Sequence, residues 1–390
     1  MRRRVALSFL LAALAPAPAA AQEEARPGLR APRVVASGAA FVVAGRAPAG
    51  ARVLIEIGVE GRWRALAAAR ADGRGRFERR VRPKRLRRRI VLRARVDGGP
   101  PSKRVLVRTR LVTLASVGDV NLGDGPGLLI ASLGVRYPWT GVAALLRRAD
   151  VAFGNLECAV STRGAPVPKE FNFRGRPAAL RAMARFAGFD AANLANNHVG
   201  DYGRTAMLDT VRLTRRFGMA PVGAGGSLRA AARPRVVERL GLRIAFVGFS
   251  DILPASFWAA PNRAGTVQAT PENIARGVRA AGGVADVVVA AFHWGVERAP
   301  AENARQRSFA RTALAAGADA VIGAHPHVLQ PIRRSGRRVV AYSLGNFVFS
   351  AGSPGTTSTG ILELRLSARG VERLRFRGAL IEASRPRLTA

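Results

Sequence analysis

ADAVIGAHPH (residues 318–327) carries the pattern that organises this chain. Asp319 leads into the apolar run Ala320, Val321 and Ile322, which stops at Gly323 and delivers His325 and His327. A short apolar run with β-branched residues, closed by a turn, reads as a buried strand. The histidines therefore stand where the strand ends. The design recurs in LVTLASVGDVN (111–121), ADVAFGNLE (149–157), FDAANLANNH (189–198), ADVVVAAFHWG (285–295) and VVAYSLGNF (339–347). Helix-like stretches lie between these runs, among them GRTAMLDTVRLTRRFG (203–218) and ENARQRSFARTALAAG (302–317). The second has Phe309, Ala310 and Leu314 at helical spacing and a stop at Gly317. Strands alternating with helices indicate a layered α/β fold. In such folds the loops after strand carboxyl ends converge on one crevice.

The side chains at those ends are Asp119, Asn121, Asn155, Glu157, Asn196, Asn197, His198, His293, His325 and His327. They include all 4 histidines of the chain, which scattered core or surface histidines would not do. Mixed imidazole, carboxylate and amide donors suit borderline divalent ions such as zinc, manganese or iron. The near absence of cysteine points to a catalytic site with open positions rather than a structural zinc. In an extended turn, His325 and His327 would point the same way across a stiff Pro326 and reach one ion or two neighbouring ones. By itself H-x-H is equally a satisfied structural pair.

The chain before residue 111 reads differently. Arg2, Arg3 and Arg4, an apolar stretch from Val5 to Leu14 and the small residues Ala19, Ala20 and Ala21 form an export signal covering residues 1–21. The mature protein is then periplasmic, cell-surface or extracellular. An uncleaved anchor is the alternative, and the chain's one expected route to a membrane. Residues 22–32 read as a linker. AAFVVAGRA, RVLIEIGV, RWRALAAARA, GRFERRV and RIVLRARV are short strands separated by Gly, Pro and Asp-Gly turns, so residues 33–110 read as a small immunoglobulin-like β-sandwich. The net charge of +38 admits an anionic polymer as partner. Lysine occurs only at Lys84, Lys103 and Lys169, so 60 of the 63 basic residues are arginine, spread along the whole chain. That spread looks like coding bias. RPKRLRRR (82–89) is the one dense run, and no aromatic residue interleaves it. Nucleic acid is disfavoured as a partner.

The order GDVN, NLE, NNH, HWG and GAHPH is that of a known family. From Leu111 to about Phe349, in SVGDVNLGD, DVAFGNLE, NLANNHVGDYG, FHWGVE, AGADAVIGAHPHVLQP and AYSLGNFVF, the chain resembles the CapA family of poly-γ-glutamate capsule biosynthesis, a branch of the calcineurin-like metallophosphoesterases. The resemblance implies a four-layer α-β-β-α sandwich over residues 111–390, with two divalent ions (manganese, zinc or iron) between its sheets. It makes Asp119 and His327 ligands of the first ion, Glu157 the bridge, and Asn197, His293 and His325 ligands of the second. It makes His198 the general acid, with no organic cofactor. Many members of the wider superfamily carry histidine where Asn121 stands, so one ion has a weaker or missing ligand here. The implied activity is metal-dependent hydrolysis of a phosphoester in capsule or cell-surface polymer metabolism. The alternatives are a non-catalytic component that handles the polymer, and an amide hydrolase or transferase acting on it.

Several neighbours have two readings. Trp294 is packing that fixes the ligand loop rather than a substrate platform. Glu297 orients a ligand histidine or forms a surface ion pair. Asp201 is expected to cap the following helix. Arg174 meets an anionic substrate or is simply solvated. Cys158 is a small buried side chain, and Asn346 supports the site by hydrogen-bonding backbone.

Overall fold

The computed structural model describes residues 26–83, 88–252 and 254–389. The expected export signal, the start of the linker and the middle of the basic run lie outside these residues. The described chain is a mixed α/β structure with several sheets, and it divides into two units.

The first unit gathers residues up to Arg30, Val43–Arg79 and Leu92–Val105. Arg52–Val59 and Arg62–Arg70 form an antiparallel hairpin in which Val59 faces Arg62. Glu60 and Gly61 turn it with φ of 51° and 75°, the doubly positive geometry that matches strand twist in a two-residue turn. Val53, Phe77 and Ala94 make its core. The expected strands of this region all form.

The second unit gathers Ala31–Val42, Arg80–Val91 and the chain from Leu106 onward. It contains two large sheets. In the first, Val112–Val120 is flanked on one side by the parallel strands Val151–Leu156, Ala191–Asn193 and Ala220–Val222. On its other side lie the antiparallel strands Ser358–Ser367, Gly370–Glu382 and Arg385–Leu388. Asn346–Val348 pairs with the end of Val112–Val120. In the second sheet Leu242–Ser250, Val287–His293, Ala320–Ala324 and Arg338–Ala341 run parallel, edged by antiparallel Arg235–Arg239 and Ile332–Ser335.

Burial explains why the strands of this unit read as continuous apolar runs. A parallel strand covered on both faces has no solvent side to make polar. Leu114, Phe153 and Leu364 of the first sheet share one apolar cluster with Phe246, Val289 and Ile322 of the second. Phe153 stacks on Phe246 with centroids 5.0 Å apart. A second cluster joins Leu146, Leu180, Met183 and Val211 to the first sheet, and a third joins Ile274, Val278, Phe309 and Ala313 to the second. Each such large side chain contributes about 1.5–3 kcal/mol on burial.

The expected helices form as Gly203–Arg216 and Ala304–Ala315. Asn303 and Gln306 close a reciprocal capping box on the second. Gly317 follows it with a φ of 111°, a backbone state that stops a helix of L-residues.

Candidate metal centre

Strand register assembles the site. Asn155 lies opposite Asp119 on adjacent parallel strands, and the next turn of chain brings Glu157, whose N–H donates to Val120 O at 2.8 Å. In the other sheet His293 aligns with Ala324, so His325 follows directly beside it, and the two imidazole centroids are 4.7 Å apart. Asp119, Glu157 and His293 each offer a donor atom within 4.8 Å of the others, and so do Glu157, His325 and His327. Glu157 belongs to both groups. The resemblance divides the ligands otherwise, with His293 beside His325 and His327 beside Asp119. Contacts of that kind are also present, since His327 Nδ1 lies 3.5 Å from Asp119 Oδ2. Asn197 Oδ1 is 2.7 Å from His293 Nε2.

A scaffold of amides holds these groups. Asn155 Nδ2 donates to Asp119 Oδ1 at 2.7 Å, while its Oδ1 accepts from Asn193 Nδ2 at 2.8 Å. Asp119 Oδ2 accepts from the His325 backbone N–H at 3.1 Å, and Asn346 Oδ1 lies 2.9 Å from His327 Nδ1. Asn196 Oδ1 accepts from the N–H groups of His198 and Val199 at 3.0 and 2.9 Å, fixing the turn that presents Asn197 and His198. The GAHPH turn is not extended as the sequence suggested. His325 and His327 both have positive φ, 97° and 60°. Such backbone is costly for a side chain that bears a Cβ, and it persists where the surrounding structure over-determines it.

Charge tests whether the residues suit a metal. Glu157 is fully buried; its Oε1 lies 3.2 Å from His293 Nε2, and neither carboxylate oxygen accepts a hydrogen bond of good geometry. His325 Nδ1 is likewise buried and unpaired. Burial, reinforced by Asp119, raises the Glu157 carboxyl well above its ordinary range. Burial and then His325 push His293 well below the usual imidazole value, and burial with His327 takes His325 down to about 3. Burial pulls His327 down too, but the Asp119 carboxylate, joined by Glu297 and the Asn346 carbonyl, outweighs it and the net direction is up. A buried carboxylate without a well-formed hydrogen bond, beside two rings held neutral, is a site short of positive charge, and neutral imidazole is the form that binds a cation. The donor set therefore fits divalent ions.

His198 stands next to Asn197 with a different set of partners. Its Nδ1 is 2.6 Å from Asp201 Oδ2, and Phe173 stacks on its ring with centroids 4.1 Å apart. Burial lowers its pKa, and Asp201 works in the opposite direction. Asp201 is fully buried and also accepts from Phe173 N–H at 2.7 Å. It does not cap the following helix: Tyr202 holds the cap position, and no side chain bonds there. Lys169 Nζ donates to the other Asp201 oxygen at 2.7 Å. Sequence reasoning missed this lysine and the Asp201 pairing. The one signal for Lys169 was that the chain retains lysine there amid so many arginines.

The remaining neighbours separate cleanly. Trp294 is buried packing, as expected: it stacks on Phe292 and donates Nε1–H to Tyr342 O at 2.8 Å. Asn121 spends its carbonyl on Gly123 N–H at 2.8 Å, leaving its buried amide nitrogen unpaired. Arg174 lies over the Tyr202 ring at 4.2 Å. Glu297 is exposed, and its charge raises the pKa of both Glu157 and His327. Cys158 is buried, with its thiol pushed up to about 12 chiefly by burial.

Comparison with known proteins follows the same residues. The model of the family described as bacterial capsule synthesis protein PGA_cap matches residues 113–351, which include every candidate ligand and His198. The PGA biosynthesis protein CapA of Bacillus subtilis (strain 168) is 33% identical over 266 residues, covering 67% of this chain and 70% of that protein. The capsule biosynthesis protein CapA of Bacillus anthracis is 30% identical over 267 residues, covering 66% of this chain and 65% of that protein. Among solved structures, the NAD nucleotidase NadN of Haemophilus influenzae is 11% identical with a TM-score of 0.42, covering 69% of this chain and 56% of that one. A likeness that weak decides nothing about activity.

Proposed function

This chain belongs to the bacterial capsule synthesis protein PGA_cap family, and from that premise we propose that it is an exported metal-dependent hydrolase of a phosphoester in the metabolism of an anionic cell-surface polymer, poly-γ-glutamate. The observation that carries the reading is Glu157: a fully buried carboxylate, both oxygens without hydrogen bonds, shared by two groups of potential ligands. Asp119, Glu157, His293, His325 and His327, with the Asn197 carbonyl, would hold two divalent ions, manganese, zinc or iron. Such ions supply Lewis acidity and lower the pKa of a coordinated water.

The chain's own residues do the rest. Asp201 holds Nδ1 of His198, which leaves Nε2 to pass a proton to the departing oxygen. Burial holds the His198 pKa below its ordinary value, with the Lys169 ammonium acting in the same direction, and the Asp201 carboxylate offsets part of this in favour of the imidazolium that must carry that proton. Phe173 fixes the plane of the ring and keeps water from one face of it. The amide scaffold of Asn155, Asn196 and Asn346 orients the ligand side chains before any substrate arrives.

Three apolar clusters alternating with two sheets support a four-layer α-β-β-α sandwich for residues 111–390. The antiparallel hairpin and its small core support an immunoglobulin-like β-sandwich within residues 33–110. Export rests on the sequence of residues 1–21. Among the described residues no helix is long and apolar enough to cross a membrane. The charge of +38 favours a second reading, a non-catalytic component that holds the acidic polymer.

Metal analysis of the purified chain, followed by turnover of activated phosphomonoesters, phosphodiesters and γ-glutamyl peptides, separates these. Hydrolysis of a phosphoester, abolished by His198→Ala with metal content intact, is the expected result. A metal-loaded chain that cleaves none of them would leave the polymer-holding reading standing and remove the hydrolase.

A further inference from the structure

Of the three lysines, Lys103 is exposed, Lys84 lies outside the described residues, and Lys169 is buried for most of its side chain, with 20% exposure. Lys169 comes from the irregular segment Pro166–Phe173. Asn172 Nδ2 folds that segment by donating to the carbonyls of Val167 and Lys169, each at 3.1 Å. The Lys169 ammonium donates to Asp201 Oδ1 and to the Asn197 carbonyl, both at 2.7 Å, and lies 3.2 Å from His198 Nδ1. Val167 N–H donates to Asp201 O at 2.9 Å, and Phe173 N–H to Asp201 Oδ2 at 2.7 Å. One side chain thus grips both ends of the turn Asn197–Asp201 from outside.

The choice of lysine has a physical reason. A compact ammonium directs its N–H bonds tetrahedrally and can serve a carboxylate and a carbonyl lying in different directions. A planar guanidinium is built for two parallel bonds to one partner and needs more room. At this position the chain departs from its otherwise near-uniform use of arginine.

We infer that Lys169 is a positioning residue: it presents Asn197 and His198 together, and arginine cannot take its place. The inference rests on the reading of Asn197 as a ligand and His198 as the acid. The Asn197 backbone carbonyl is tied down by Lys169, so its side-chain oxygen is aimed at His293. Lys169 takes one Asp201 oxygen and the His198 ring the other, so the lysine fixes the carboxylate that holds the ring.

The test uses the full chain, metal-free, as wild type, Lys169→Arg, Lys169→Met and the control Lys103→Arg. Manganese is titrated calorimetrically, and the ring nitrogens of the histidines are followed by proton–nitrogen NMR, where only 4 side chains contribute. Both Lys169 variants should bind manganese about 10-fold or more weakly, the usual cost of losing a group that orients a ligand. Both should shift the His198 ring signals, while Lys103→Arg matches wild type. Lys169→Arg keeps the charge, so it decides the matter if Lys169→Met fails to fold. Wild-type affinity or unshifted His198 signals in Lys169→Arg overturns the inference. Neither readout requires turnover, so a wild type that binds manganese and cleaves no ester would defeat the hydrolase reading alone.

Discussion

Glu157→Gln should leave the metal-free protein at least as stable as wild type near neutral pH, and should remove most of the stabilisation that metal confers. The side chain is fully buried, no contact to its oxygens has hydrogen-bond geometry, and its one close polar neighbour, His293 Nε2 at 3.2 Å, can face the oxygen of an amide of the same shape, so the substitution forfeits little that the carboxylate has in the protein alone. Near pH 4.3, where an unfolded glutamate begins to ionise, the folded carboxyl is neutral and the two proteins should be about equal. Burial and Asp119 raise the folded pKa well above that of the unfolded chain. Between the two values the unfolded state binds fewer protons than the folded one, so wild-type stability falls as pH rises. The slope from this group approaches 1.4 kcal/mol per pH unit until the folded pKa is passed, whereas glutamine contributes none. With metal the order reverses. A ligand at 100 times its Kd stabilises wild type by about 2.7 kcal/mol, or roughly 5–10 °C in Tm for a domain of this class. The variant should show little of that shift. Urea and thermal melts of chelator-treated protein from pH 5 to 7.5, with and without manganese, measure both effects. If Glu157→Gln is more than about 1 kcal/mol less stable than wild type without metal at pH 7, the contact with His293 is a stabilising ion pair and the buried carboxylate is not unpaired. Equal manganese shifts in the two proteins would remove Glu157 from the ligand set.

Other consequences are simpler to check. Asp201→Asn leaves Lys169 without its counter-charge and Phe173 N–H competing for one oxygen. It should cost about 3 kcal/mol in a denaturant titration and lower ester turnover by on the order of 10²–10⁴-fold if His198 is the acid. In Gly118→Ala the new Cβ would lie 1.8 Å from Gly345 O. It must push apart the strands that carry Asp119 and Asn346, so manganese affinity should fall together with Tm. The Cys158 thiol, buried and with a raised pKa, should resist a thiol reagent in the native protein and react once the chain is unfolded.

Much of the site was legible because it sits at strand ends. An apolar run that stops at Asp119, Asn155, His293 or His325 announces both the strand and the side chain that leaves it. The family motifs lie on those same ends. Asp201 was misjudged because a short acidic residue before a helix usually caps it. Here the turn from Asn196 to Asp201 carries the carboxylate back to His198, three residues earlier, and Tyr202 begins the helix without a side-chain cap. Lys169 was illegible for another reason. Its segment has no periodicity, so nothing local fixes the direction of the side chain, and its partners lie 28 and 32 residues further on.

The sequence by itself determined the α/β alternation, the two helices with their glycine stops, the family, and which residues leave the strands at the crevice end. Those properties follow from apolar periodicity and backbone propensity, which act over a few neighbouring residues. Tertiary structure alone decided that Glu157 would be buried with no well-formed hydrogen bond, that His325 and His327 would be held at positive φ, and that a lysine would lock the His198 turn. Each depends on groups brought into contact from distant parts of the chain, where exclusion of water and the pairing of charge are set by what packs around them.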